Sequence, residues 1–255
     1  MIVKEDGVAM GVLVLGGSRG IGRAIAVGLT EPGSTILVNY LGPDEEAQET
    51  QRLVQEKGGR AVLLRGNIAS PEGAAEIAKL VSAEVDKLDT VVHCAVKTVS
   101  GPLLDADPEA FRQAVDVNAM SFLYAVQAVR PLLGAGSSVV YLSSRGARIA
   151  LKDYASVGAP KAMAEAFVRY LAVELAAIGA RANVVSPTAQ DTAAFRDIFP
   201  NDYEQRLAEA ARRSPSGRAV GLDDIVEVVR FLASPGAAML QGQTIVLDGA
   251  STLAG

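Results

Sequence analysis

The sequence predicts a doubly wound α/β fold on a parallel sheet, and three observations predict it. Seven short runs of β-branched and aliphatic residues recur almost from end to end. Within each run the apolar residues are continuous rather than alternating, the pattern of strands covered on both faces. Between the runs lie longer stretches of helical period, so consecutive strands are joined by crossovers and run parallel.

In order, the strands are read at 12–15 (VLVL), 35–38 (TILV), 61–64 (AVLL), 90–93 (TVVH), 138–142 (SVVYL), 182–185 (ANVV) and 244–247 (TIVL). A glycine-rich turn after the first run opens a helix through Ile25 and Leu29. Further helices are read at 44–57, 71–86, 108–133, 162–177 and 223–233, with Pro71, Pro108 and Asp223 where helix starts favour proline or a capping acid. Residues 191–218 break the rhythm between the last two strands. Their helical pieces carry Phe195, Phe199 and Tyr203 and are expected to form a lid beside the ligand crevice. Neither a linker nor an internal repeat is visible, so residues 10–255 are expected to form one domain behind an N-terminal extension at 1–9.

With 255 residues, 49% of them hydrophobic, the chain has ample material for a core. Cys94 and His93 are the single cysteine and histidine, which excludes an internal disulfide and a zinc site. The net charge of -5 argues against a nucleic-acid partner, which needs a basic face. No apolar run reaches the roughly 20 residues that span a bilayer, and 1–9 has no signal-peptide stretch. A cytoplasmic protein with no membrane partner is expected.

The turn after the first strand reads GGSRGIG from Gly16 to Gly22. Glycines allow positive φ and close backbone approach, and the following helix offers N–H groups and a positive dipole end to a pyrophosphate. Gly16, Ser18, Arg19, Gly20, Ile21 and Gly22 are therefore read as cofactor-binding. The same stretch spells G-x-S-x-G, the nucleophile elbow of a serine hydrolase. That chemistry orders its triad Ser, acid, His, and no histidine follows His93, so the hydrolase reading fails. NAD-binding loops place an acid about twenty residues on, to hold the ribose hydroxyls. Here Asn39 and Tyr40 stand there, and Arg19 can reach a 2′-phosphate, which favours NADPH over NADH. Asp44, Glu45 and Glu46 just beyond work against that preference and also suit the first turn of a helix.

The fifth strand runs into Ser143 and Ser144, followed by Tyr154 and Lys161. Reducing a carbonyl needs a donor for negative charge developing on oxygen, and a tyrosine with reference pKa near 10 needs tuning to serve. A neighbouring ammonium is expected to lower it.

These motifs, with Asn118 in DVNAM, PTAQDT at 187–192 and VLDG at 246–249, resemble the short-chain dehydrogenase/reductase superfamily from residue 10 onward. The resemblance implies a Rossmann-like, three-layered, seven-stranded sheet, a nicotinamide cofactor and a homotetramer. It further implies that Asn67 and Ile68 flank the adenine, that Ala95 and Pro187 contact the cofactor, and that Thr192 meets the nicotinamide carboxamide. Tyr154, Lys161 and Ser144 would be catalytic, and Asn118 would support a proton relay from lysine to water. Most members carry Tyr-x3-Lys, whereas this chain has Val157 four before Lys161 and the spacing Tyr154-x6-Lys161. That spacing is similar to the NADPH-dependent enoyl-acyl-carrier-protein reductases. If the segment is helical, three residues move the phenol about one turn upstream, which suits protonation of an oxygen standing farther from the carbon that receives hydride. His93-Cys94-Ala95-Val96 replaces the Asn-Asn-Ala-Gly usual after the fourth strand.

The expected activity is NADPH-dependent reduction of a conjugated carbonyl, on a small-molecule or carrier-bound acyl substrate. Arg145, Arg148, Lys152, Arg212 and Arg213 are candidates for carrier docking. The alternatives are a ketoreductase acting on a polyketide or other bulky ketone, and a catalytically silent NADPH sensor.

Overall fold

The computed structural model describes residues 10–253; the extension expected at 1–9 lies outside the described residues. Among the described residues, the strands form one seven-stranded parallel sheet in the order β3-β2-β1-β4-β5-β6-β7. They are β1 (Gly11–Leu15), β2 (Thr35–Tyr40), β3 (Arg60–Arg65), β4 (Thr90–His93), β5 (Ser138–Leu142), β6 (Arg181–Pro187) and β7 (Thr244–Leu247). All seven coincide with the predicted runs, several extended by a residue or two.

The strands are unbroken apolar runs because alternate residues feed different cores. Leu13 and Leu15 join Leu37, Val91, Val139 and Tyr141 on one face, beneath α3 (Pro71–Ser82), α5 (Ser121–Val129) and α6 (Ala155–Ala176). Val12 and Val14 join Ile36, Val38, Val92 and Val140 on the other, beneath α1 (Gly20–Gly28), α2 (Asp44–Glu56) and α9 (Leu222–Ala233). Each fully buried Val, Leu or Ile contributes about 1.5–3 kcal/mol of transfer free energy, so exposing either face would be unaffordable. The result is the three-layered Rossmann-like arrangement expected.

Local chemistry sets the helix starts. Ser70 accepts a hydrogen bond from the Gly73 amide at 3.2 Å ahead of Pro71, and Asp107 accepts from the Ala110 amide at 2.7 Å ahead of Pro108. The helix expected at 108–133 is composite: α4 (Pro108–Val115) passes through a π-helical turn at Asp116–Met120 into α5 and closes as a 3₁₀ turn at Arg130–Leu132. The interruption at 191–218 contains α7 (Ala193–Ile198) and α8 (Tyr203–Arg212).

The largest boundary correction concerns α6, expected from 162 and observed from Ala155, with Pro160 inside it. Proline lacks the N–H that would bond the carbonyl four residues back, that of Ser156. Tertiary structure supplies the missing donor: the Asn118 amide donates to the Ser156 carbonyl at 2.9 Å. No helix among the described residues is long and apolar enough to cross a membrane.

Strand order reverses between β1 and β4, which opens a crevice at the carboxyl ends of the strands. The loops after β1, β4, β5 and β6 all meet there.

Candidate active site

Two adjoining cavities occupy the crevice. The first, of about 810 Å³, is lined by Gly16, Ser18, Arg19, Gly20, Ile21, Gly22, Asn39, Tyr40, Asn67, Ile68, Ala95 and Thr192, every expected cofactor residue except Pro187. The second, of about 440 Å³, is lined by Ser144, Tyr154, Lys161, Pro187 and Thr192. Ile21, Cys94, Val96, Thr192 and Ala194 line both and mark the junction.

The first cavity fits a dinucleotide. Gly16 has φ +76°, and a Cβ there would lie 2.6 Å from the Ala95 amide nitrogen, so β1 and β4 could not both reach this point with a larger residue. A Cβ on Gly22 would overlap the Gly16 carbonyl oxygen at 2.1 Å. Among the described residues, no side chain caps the N-terminus of α1. Its first amides are therefore left to an anion such as a pyrophosphate.

Three residues around this cavity also have partners within the protein. Asn39 was expected to replace a ribose-binding acid, yet its buried amide donates to the Leu64 and Gly66 carbonyls, both at 3.0 Å. Its own carbonyl accepts the Gly16 and Gly17 amides at 3.0 and 2.9 Å. Asn39 therefore clamps the glycine loop to β3. Tyr40 donates its hydroxyl to Asp44 at 2.9 Å. Arg19 pairs with Glu46 at 3.2 Å, so the guanidinium expected to meet a 2′-phosphate already has a half-exposed carboxylate partner.

In the second cavity, Tyr154 caps α6 and Lys161 follows seven residues later. Seven residues make almost two full turns, which puts both on one face of the helix. Asp153, just before the tyrosine, has φ +62°, a left-handed conformation that Asp tolerates and β-branched residues resist. Burial raises the Tyr154 pKa, and a hydrogen bond with the Ser144 hydroxyl opposes the rise. This corrects the expectation that Lys161 would pull the phenol down: burial dominates, and Tyr154 stays a neutral O–H donor. Lys161 is itself buried. Its ammonium donates to the Leu142 carbonyl and lies 5.2 Å from the centre of the Tyr141 ring. Burial lowers its pKa to about 8.

Asn118 lines neither cavity. Its side chain is spent on the Lys97 amide and carbonyl, both at 2.8 Å, and on Ser156. Its carbonyl accepts the Tyr141 hydroxyl. The side chain ties the loop after β4 to α6, and the main-chain carbonyl keeps a second lone pair for the relay expected of this residue. Removing its side chain should cost on the order of 3 kcal/mol, because buried backbone groups lose their partners. In a Pro160→Ala background, residue 160 regains an amide for the Ser156 carbonyl, so the Asn118→Ala penalty should shrink by about 1 kcal/mol. A double-mutant cycle by urea denaturation checks this, and zero coupling refutes the explanation for Pro160.

His93 is structural. Ser121 donates to the Val117 carbonyl at 2.7 Å, so the His93 Nε2 must donate to the Ser121 oxygen, also at 2.7 Å. Burial and the Lys161 charge lower its pKa to about 3, and the neutral ring stacks on Tyr141 at 5.3 Å. Cys94 is a thiol pushed up to about 12 by burial.

The expected lid covers the second cavity in part. Phe195 and Phe199 line it, and Phe199 stacks almost parallel on Tyr154 at 6.0 Å; Tyr203 packs behind them. Gly146 escaped sequence reasoning. A Cβ there would lie 2.5 Å from the Tyr154 ring, so the phenol rests directly on backbone. Its signal was a glycine two residues after a candidate catalytic serine. Of the docking candidates, Arg148 pairs with Glu165 at 3.5 Å, and Arg212 and Arg213 share Glu209.

Comparisons agree with this architecture. A family model described as enoyl-(acyl carrier protein) reductase matches residues 16–252. The chain is 30% identical to the 1-cyclohexenylcarbonyl-CoA reductase of Streptomyces collinus, covering 93% of this chain and 85% of that one. It is 32% identical to versicolorin reductase 1 of Aspergillus parasiticus, covering 93% and 94%. The crystal structure of a putative short-chain alcohol dehydrogenase from Sinorhizobium meliloti superposes with a TM-score of 0.87 at 27% identity, covering 97% of this chain and 98% of that one. With the glycine loop, the reversed strand order and the Ser144, Tyr154 and Lys161 cavity at its junction, the chain belongs to the short-chain dehydrogenase/reductase family of oxidoreductases.

Proposed function

We propose that this protein reduces the carbon–carbon double bond of a conjugated carbonyl, using NADPH. The observation that carries the reading is the position of Tyr154, two helical turns ahead of Lys161, with both residues lining one cavity that opens into the dinucleotide cleft. When bound, the cofactor supplies the hydride. The α1 amides and Ser18 would hold its pyrophosphate, Asn67 and Ile68 its adenine, and Thr192 and Pro187 its nicotinamide end. Lys161 would hold the adjacent ribose hydroxyls. The neutral Tyr154 phenol donates a hydrogen bond, and then a proton, to the oxygen on which enolate charge develops; Ser144 holds the phenol in place. A neutral donor suits this task, as burial has kept it protonated. The similarity to a cyclohexenylcarbonyl-CoA reductase supports a conjugated thioester as substrate.

One observation favours a second reading, ketone reduction on a polycyclic substrate: the Phe195 and Phe199 wall beside Tyr154 suits a flat ring. Following NADPH absorbance with crotonyl and acetoacetyl thioesters decides between them. Oxidation with the crotonyl compound is expected; oxidation with the keto compound alone overturns the first reading.

The Arg19–Glu46 pair gives a prediction about the cofactor. Glu46→Gln should raise the preference for NADPH over NADH roughly three- to fivefold, the worth of an exposed ion pair. Arg19→Ala should lower it by about tenfold, through loss of a charge-assisted bond. The ratio of kcat/KM values for the two cofactors measures both, and an unchanged ratio in Arg19→Ala removes that residue from 2′-phosphate recognition.

A further inference from the structure

We propose that the second cavity is built for a substrate carrying an anionic oxygen group, carboxylate or phosphate, and that Arg145 binds it. The proposal rests on the reductase reading and names its substrate class.

The charged lining of this cavity is Lys161, Arg145, Arg206 and Arg213 against Asp202 and Glu209. On the helical cap these charges cancel in pairs: Arg206 bonds Asp202 at 2.8 Å with its guanidinium 3.9 Å from the Phe199 ring centre, and Arg213 bonds Glu209 at 2.5 Å. Lys161 is held by the Leu142 carbonyl. The neighbouring Arg148 takes Glu165. Arg145 alone of the lining cations has neither a carboxylate nor a hydrogen-bond acceptor for its guanidinium among the described residues. It is half-buried, in a cavity that Leu151, Val157 and Phe195 also line. A partly desolvated cation without a partner costs stability that an anionic ligand returns.

Its place in the chain puts that anion near the chemistry. Arg145 opens the 3₁₀ turn Arg145–Ala147 between Ser144, which bonds the Tyr154 phenol, and Gly146, on which the Tyr154 ring rests. A group held by its guanidinium would share one cavity of about 440 Å³ with Tyr154. A guanidinium fork matches the paired oxygens of carboxylate and phosphate, which a lysine at this position would not reproduce. The anion can belong to the acyl portion of the substrate or to the phosphates of its coenzyme A tether.

The test reads binding without turnover, by calorimetry on the protein with saturating NADP⁺. Two pairs of probes separate the sources. The first is the N-acetylcysteamine thioester of a pentenedioic acid with its distal carboxylate free, against the methyl ester. The second is crotonyl-coenzyme A against crotonyl-N-acetylcysteamine. The wild type is expected to prefer the anionic member of at least one pair by roughly tenfold or more. Arg145→Gln should erase that preference and change the neutral probes less than twofold, and Arg145→Lys should keep part of it. A preference confined to the first pair assigns the anion to the acyl group, and one confined to the second assigns it to the tether. Equal affinities within both pairs, or a preference that survives in Arg145→Gln, overturn the proposal. Because no hydride moves in this experiment, a failure of these thioesters to oxidise NADPH counts against the reductase reading alone.

Discussion

Tyr154→Phe is expected to lower kcat by about 10²–10³-fold while leaving dinucleotide affinity within a factor of two. The loss matches what removing one preorganised donor to a developing oxyanion costs in a site shielded from water. The fold should tolerate the change. The ring keeps its stack on Phe199 at 6.0 Å and its seat on Gly146. Steady-state kinetics and cofactor titration by NADPH fluorescence check both halves. A variant retaining more than a tenth of wild-type kcat would remove the phenol from the chemistry.

Lys161→Met should have an effect of similar size on kcat and a distinctive pH signature. Burial holds the Lys161 pKa at about 8 against an ordinary 10.5, so between those values the unfolded chain binds this proton more tightly than the folded one. Stability from this group therefore rises with pH across that window, and its penalty is fully present below pH 8. The difference in unfolding free energy between wild type and variant should change in favour of the wild type, by on the order of 2–3 kcal/mol over the whole window. Cys94, raised from 9.0 to about 12, acts in the opposite direction above pH 9 and is coupled to the Lys161 charge, so the comparison is cleanest between pH 8 and 9. Wild-type kcat/KM should fall above pH 8 as the ammonium loses its charge, and the residual activity of Lys161→Met should not follow that fall. A parallel decline in both proteins would assign the titration to another group.

Much of this molecule was legible before folding. The strands could be read because a sheet covered on both faces demands unbroken apolar runs, and α3 and α4 could be placed by Pro71 and Pro108. The glycine loop was equally plain, since positive φ and backbone contact select glycine whatever lies around it. The start of α6 was not legible, because the N–H that Pro160 lacks is replaced by an Asn118 amide from 42 residues earlier. At Asn39 the sequence showed only a missing acid, and that its amide turns toward β3 depended on the fold.

The chain by itself determined which segments become strands, where the dinucleotide loop falls and which residue types can carry the chemistry. Each of those follows from local conformational and hydrophobic preference. Tertiary structure alone decided that the Tyr154 ring is buried on Gly146 and Phe199, that Asn118 braces a proline-bearing helix and that Arg145 is left without a partner among the described residues. Desolvation, hydrogen-bond satisfaction and charge pairing depend on neighbours distant in sequence, and those neighbours are chosen only when the sheet and its helices close around the crevice.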